Sequence, residues 1–76
     1  MEEYLCTILP GEKAEVTQLL CSPVLRKRLT DLGMVPGTVV TCRYRSPNRD
    51  VTALELRRTV IALRTRDLAQ IRACRV

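Results

Sequence analysis

Apolar and polar residues alternate along Lys13-Ala14-Glu15-Val16-Thr17-Gln18, the two-residue period of a strand with one buried face. Pro10-Gly11 just before it is a turn pair. The period then changes. Leu25, Leu29 and Leu32 stand at i, i+4 and i+7, one apolar stripe of a helix, with Arg26, Lys27 and Arg28 mostly off it. Ser22 suits the N-cap, where its hydroxyl can accept an orphan backbone N–H, and Pro23 suits the first helical position. Gly33 fits the left-handed residue beyond a helix, Met34 can add the accompanying apolar contact, and Pro36 blocks continuation. The pattern predicts a helix from Pro23 to Leu32.

After Pro36-Gly37 the period returns to two, with Val40, Cys42 and Tyr44 on one face of a second strand. Residues 46–50, Ser-Pro-Asn-Arg-Asp, are dense in turn formers. Thr52, Leu54 and Leu56 alternate as a third strand, Ile61 and Leu63 mark a fourth, and Arg57-Arg58-Thr59 joins them as a tight hairpin. Thr65-Arg66-Asp67-Leu68 resembles one helical turn, and a last strand runs from Ile71 to Val76. The expected core is Val16, Leu25, Leu29, Leu32, Val40, Cys42, Leu54, Leu56, Ile61, Leu63 and Ile71. The prediction is a mainly β domain over residues 1–76: about five short antiparallel strands, with one helix inserted after the first. Such strands hide their edges best by closing into a small barrel. A chain this short has no room for two self-sufficient cores.

Composition narrows what such a domain does. At 46% hydrophobic, with charges of both signs, the chain can form a core, which argues against disorder. Its apolar runs, as in residues 59–63, are far shorter than the roughly 20 residues that span a bilayer. Met1-Glu2-Glu3 is acidic where a secretory signal is basic. The expectation is a cytoplasmic domain that is not membrane-embedded. There is no histidine, the eight acids are scattered, and the three glycines are isolated, so no catalytic residue, phosphate loop or cofactor is expected. Cys6, Cys21, Cys42 and Cys74 are too far apart for the paired spacing of a structural zinc site. The plain expectation is four free thiols and no metal. Thiol-mediated dimerisation, and thiolates gathered only in the fold, stay open.

The net charge is +5, and eleven of the thirteen basic residues are arginine, the side chain suited to bidentate grip of carboxylate or phosphate. The Arg26-Lys27-Arg28 run is either a docking surface for an acidic partner or the solvated face that any surface helix needs. Nucleic acid is the rival ligand, but single-strand binders stack bases on aromatics, and only Tyr4 and Tyr44 are present. The same scarcity argues against a groove for proline-rich peptides.

The segment Leu25-Arg26-Lys27-Arg28-Leu29-Thr30-Asp31-Leu32-Gly33-Met34-Val35-Pro36-Gly37 resembles the "RL-x-x-LG-hydrophobic-x-PG" signature of the ferrous iron transport protein A (FeoA) family. Ile61-Ala62-Leu63-Arg64, followed by Ala69 and Ile71, resembles that family's second block, and Pro10-Gly11 its opening turn. The resemblance implies an SH3-like barrel in which Leu29, Leu32, Gly33, Pro36 and Gly37 are structural. It also implies an accessory protein of bacterial ferrous iron uptake that binds the cytosolic part of FeoB, a membrane permease with a GTP-binding domain. Arg26, Lys27, Arg28 and Arg64 are the candidate partner-binding residues. The alternatives are a basic barrel that binds nucleic acid, or a stand-alone relative of the SH3-like domain of DtxR-type repressors; homo-oligomerisation is open. Two departures stand out. The family tends to have "GDP" where this chain has Arg49-Asp50-Val51, and glycine in the hairpin where this chain has Arg58. A rearranged hairpin is the expectation, because arginine rarely holds a positive φ.

Overall fold

A computed structural model describes residues 2–76. Six strands form one antiparallel sheet: β1 (Glu2–Tyr4), β2 (Lys13–Leu19), β3 (Val39–Arg45), β4 (Val51–Leu56), β5 (Thr59–Arg64) and β6 (Ile71–Arg75). Their spatial order is β1-β6-β2-β3-β4-β5, so β1 and β5 are edges and the sheet curls into an SH3-like form without strictly closing. The helix α1 (Pro23–Asp31) connects β2 to β3, and the short α2 (Thr65–Leu68) connects β5 to β6.

The mainly β class stands, with one strand more than expected. β1 has no periodic signal of its own. It exists because Glu2, Glu3 and Tyr4 pair with Cys74, Ala73 and Arg72 of β6, a partner seventy residues away. The helix therefore follows the second strand. A 3-10 turn at Leu5–Thr7 then carries Leu5 and Ile8 into the core. Arg45 fastens this turn, donating from Nη2 to the carbonyls of Cys6 (2.7 Å) and Ile8 (2.5 Å).

α1 ends as its caps dictate. The Ser22 hydroxyl accepts the Leu25 N–H at 3.3 Å, and Gly33 takes φ +99°. Leu29 is buried, Leu25 is half-buried, but Leu32 is 47% exposed. The predicted stripe is thus one residue too long. Leu32 is already the C-cap, and the reversal at Gly33 delivers the fully buried Met34 in its place. The Met34 N–H bonds back to the Leu29 carbonyl at 2.8 Å. The following turn is tied by the buried Thr38, whose hydroxyl donates to the Gly33 carbonyl at 3.0 Å and accepts the Val35 N–H at 3.2 Å. The Gly37 N–H then meets the Val16 carbonyl at 2.7 Å, setting the chain onto β2.

Val16, Val40, Cys42, Leu54, Leu56, Leu63 and Ile71 are buried as expected, and Ile61 packs against them half-buried. Cys21 and Cys42 pack there as small apolar residues. Burial pushes the Cys42 thiol up, which keeps it protonated. Tyr44 departs from the expected face and is 55% exposed. A bulge between Cys42 and Tyr44 shifts the pairing to β4, and one extra residue sends the following side chain to the other side.

The hairpin is not rearranged. Leu56 pairs with Thr59 across a two-residue turn, and Arg57 (φ 48°) and Arg58 (φ 66°) both occupy the left-handed region. That is the turn whose twist matches a β-ribbon, normally built with Asn-Gly. Arg49 also holds φ 63°. Both departures from the family pattern therefore keep the backbone that glycine would adopt and bear it on arginine.

Candidate partner-binding face

The arginines fall into two groups. Some are engaged: Arg43 with Glu55 (3.3 Å), Arg72 with Glu2 (2.5 Å), and Arg75 with Glu3 (3.2 Å) and Glu12 (3.4 Å). Among the described residues, Arg26, Arg28, Arg49, Arg57, Arg58, Arg64 and Arg66 have no carboxylate partner.

Three elements bring part of this second group together. β5 ends at Arg64 and turns directly into α2, placing Arg66 beside it. The junction is fixed from beneath: the Thr65 N–H bonds to the Asp50 carbonyl at 2.9 Å, and the Thr65 hydroxyl lies 3.2 Å from that of the fully buried Thr52. On one side a cleft of about 530 Å³ is lined by Arg49, Asp50, Val51, Arg64, Thr65 and Arg66. On the other side a cleft of about 430 Å³ is lined by Leu25 and Arg28 of α1, Ala62, Leu63 and Arg64 of β5, and Arg66 and Asp67 of α2. Arg64 and Arg66 belong to both, so the two clefts form one surface.

Arg49 is held on its rim by a compact turn. The Ser46 hydroxyl donates to Asn48 Oδ1 at 2.8 Å, the Arg49 N–H reaches the Ser46 carbonyl at 2.8 Å, and Asn48 Oδ1 also accepts the Asp50 N–H. A left-handed non-glycine residue costs roughly 1–2 kcal/mol. At Arg49 that strain accompanies a charge placed on the cleft.

Of the four candidate residues, Arg28 and Arg64 meet in this surface. Arg26 is exposed but lines neither cleft. Lys27 is paired with Asp31 one turn on, at 3.3 Å. Arg49 and Arg66 had no sequence signal, since each stands alone in its segment and only the β4–β5–α2 packing gathers them.

Leu29 is the buried residue of α1, Leu32 and Gly33 form its stop, and Pro36 and Gly37 lie in the turn that follows. Gly33 has a second constraint beyond its φ: a Cβ there would lie 3.3 Å from Arg57 Cδ, so the hairpin arginine lies across the helix end.

Among the described residues, no three His, Cys, Asp or Glu side chains gather as a metal cluster, and no helix is long and apolar enough to cross a membrane. The fold and this face describe a small SH3-like domain with a basic surface lined by Arg28, Arg49, Arg64 and Arg66 beside Asp50 and Asp67. The FeoA domain model matches residues 4–73, and the chain belongs to the FeoA family, which is associated with ferrous iron transport. No curated protein matches it. Among solved structures, it is similar to the FeoA protein of Chlorobium tepidum (26% identity, TM-score 0.93, covering 97% of this chain and 70% of that one). It is also similar to Stenotrophomonas maltophilia FeoA in complex with zinc, described as a procaryotic SH3-domain protein (22% identity, TM-score 0.76, 96% and 88% covered). A manganese-dependent transcriptional repressor contains the same fold in 42% of its chain (10% identity, TM-score 0.88, 99% of this chain).

Proposed function

We propose that the protein is a non-enzymatic accessory module of ferrous iron uptake that binds the cytosolic portion of a FeoB-like permease, through the face carrying Arg28 and Arg64. The observation that carries this reading is the gathering of Arg28, Arg49, Arg64 and Arg66 from four separate elements onto one surface. Such a module acts by differential binding, favouring one state of its partner over another. Charges at an interface rim mainly steer association, so the double variant Arg28→Glu/Arg64→Glu should stay folded yet bind the permease in membranes more slowly and with less salt sensitivity. Iron uptake in a strain lacking the native protein should fall with it. Wild-type association and full complementation by the folded variant would remove this face from the docking site. Failure of the wild-type chain to bind the permease in any nucleotide state would remove the function itself.

Nucleic acid is the second reading, favoured by the net charge of +5. It requires a counterion-release slope of several units against generic RNA or DNA. The surface offers little for bases, because neither cleft is lined by Tyr4 or Tyr44.

A further inference from the structure

β5 is an edge strand with a determinable set of free backbone groups. The two-residue turn makes Leu56 and Thr59 a hydrogen-bonded pair. Antiparallel pairing alternates, so Ile61 with Leu54 and Leu63 with Thr52 are the next bonded pairs. The Thr65 N–H to Asp50 carbonyl bond continues the same series beyond the strand. The N–H and C=O groups of Val60 and Ala62 and the N–H of Arg64 therefore point away from β4 on the unpaired side of the edge strand, while the Arg64 carbonyl, at the N-cap of α2, accepts the first bond of that helix.

Natural edges are normally covered, shortened or broken by a bulge or proline. This one is six residues long, pairs with β4 in unbroken register, and leaves Val60 58% exposed. Ala62, Leu63 and Arg64 of this strand line one cleft together with Leu25 and Arg28 of α1 and Arg66 and Asp67 of α2.

We propose that the β5 edge is a strand-addition site for an extended acidic segment of a partner protein. The segment lies between β5 and α1, bonds to the outward groups of Val60, Ala62 and Arg64, and presents carboxylates to Arg28, Arg64 and Arg66. This rests on reading the protein as a docking module and adds how it docks. Charge complementarity selects the occupant. The cleft holds three arginines against the single carboxylate of Asp67. A second copy would bring another +5 chain with the same arginines to the same edge, and a nucleic acid has no peptide groups with which to extend a sheet.

The test is a titration of the full ¹⁵N-labelled chain with a capped heptapeptide of alternating Glu and Val, followed by amide exchange. Val60, Ala62 and Arg64 amides should gain protection. Of two peptide versions N-methylated on alternate residues, the one blocking the donors that face β5 should bind about ten-fold more weakly or worse. A Lys-for-Glu peptide should not bind. Unchanged exchange at these three amides, or equal binding of parent and both methylated peptides, overturns strand addition. So does tighter binding of an oligouridylate at the same arginines, or protection of the same amides by self-association without peptide. Ala62→Pro removes one outward donor without touching the β4 ladder. If this variant binds the permease like wild type, the edge mode fails while the permease reading stands. Peptide capture without permease binding has the opposite meaning.

Discussion

The two edges of the sheet use the same residue type to opposite ends. At the β1 edge, Arg72 and Arg75 are met by Glu2, Glu3 and Glu12, and the Arg72 guanidinium also lies 5.1 Å from the Tyr4 ring centroid. At the β5 edge, Arg28, Arg49, Arg64 and Arg66 have no such complement. The first set closes the molecule on itself: with Arg45, it holds a strand without a buried residue and the turn that carries Leu5 and Ile8 into the core. The second set leaves an unsatisfied demand for negative charge beside unsatisfied backbone. Net charge alone would have spread the +5 over the whole surface. Pairing shows that four of the arginines without carboxylate partners share the surface beside β5.

Both edges hang on one core, and the largest effect comes from removing part of it. Leu29 is the buried residue of α1, and Leu29→Ala should cost about 2–5 kcal/mol, a large share of a small domain's stability. Chemical denaturation would measure it. Leu32→Ala, at the exposed C-cap, should stay within about 0.5 kcal/mol. Equal costs would mean that the helix packs by a stripe that includes Leu32.

The contrast between the edges predicts a crossed pattern. Reversing Arg28, Arg64 and Arg66 to Glu should abolish partner binding with stability changed by no more than about 0.5 kcal/mol, as for surface sites without engaged partners. Reversing Arg72 and Arg75 should destabilise the fold by setting like charges against Glu2, Glu3 and Glu12, with binding by the folded fraction unchanged. Thermal melts and binding rates on these two variants would decide it. Loss of binding from the β1 edge variants while they remain folded would break the distinction.

Legibility in the sequence followed the range of the forces involved. The helix caps, the position of the hairpin and the one-turn helix were readable, because each is set by residues within about four positions of one another; the hairpin's backbone was not, because two arginines hold the left-handed region that glycine usually fills. β1 was not, because Glu2–Tyr4 becomes a strand only through β6. Tyr44 was misplaced because nothing in an alternating segment announces a bulge. The basic face was half legible. Arg28 and Arg64 stood in motifs, whereas Arg49 and Arg66 reach the cleft only through packing distant in sequence.

A smaller effect is expected at the hairpin tip, where charge was kept at the expense of conformation. Arg58 holds φ 66° and has no carboxylate partner, so Arg58→Gly should be neutral or stabilise by up to about 1 kcal/mol. Arg57→Gly should gain less, because the Arg57 side chain lies across Gly33 and would be lost. Equal gains at both positions would show that this contact contributes nothing.

The smallest expected effect sharpens the β1 side. The Glu2 carboxyl is held below the ordinary carboxylate range, first by the Thr17 hydroxyl, with burial opposing it next, and then by the Arg72 guanidinium. A carboxyl whose folded pKa is lowered adds stability at pH values above its unfolded pKa and loses it as the pH falls through its folded one. Glu2→Gln should therefore be slightly less stable than wild type at neutral pH, and the difference should vanish in acid. Thr17→Val should shrink the pH-dependent part of the difference, since it removes the larger influence. The Arg64→Glu variant, at the other edge, should leave this acid-side dependence as it is. If Glu2→Gln and wild type run parallel at every pH, the β1 edge is held by its backbone pairing with β6 alone, and its arginines are as free as those of β5.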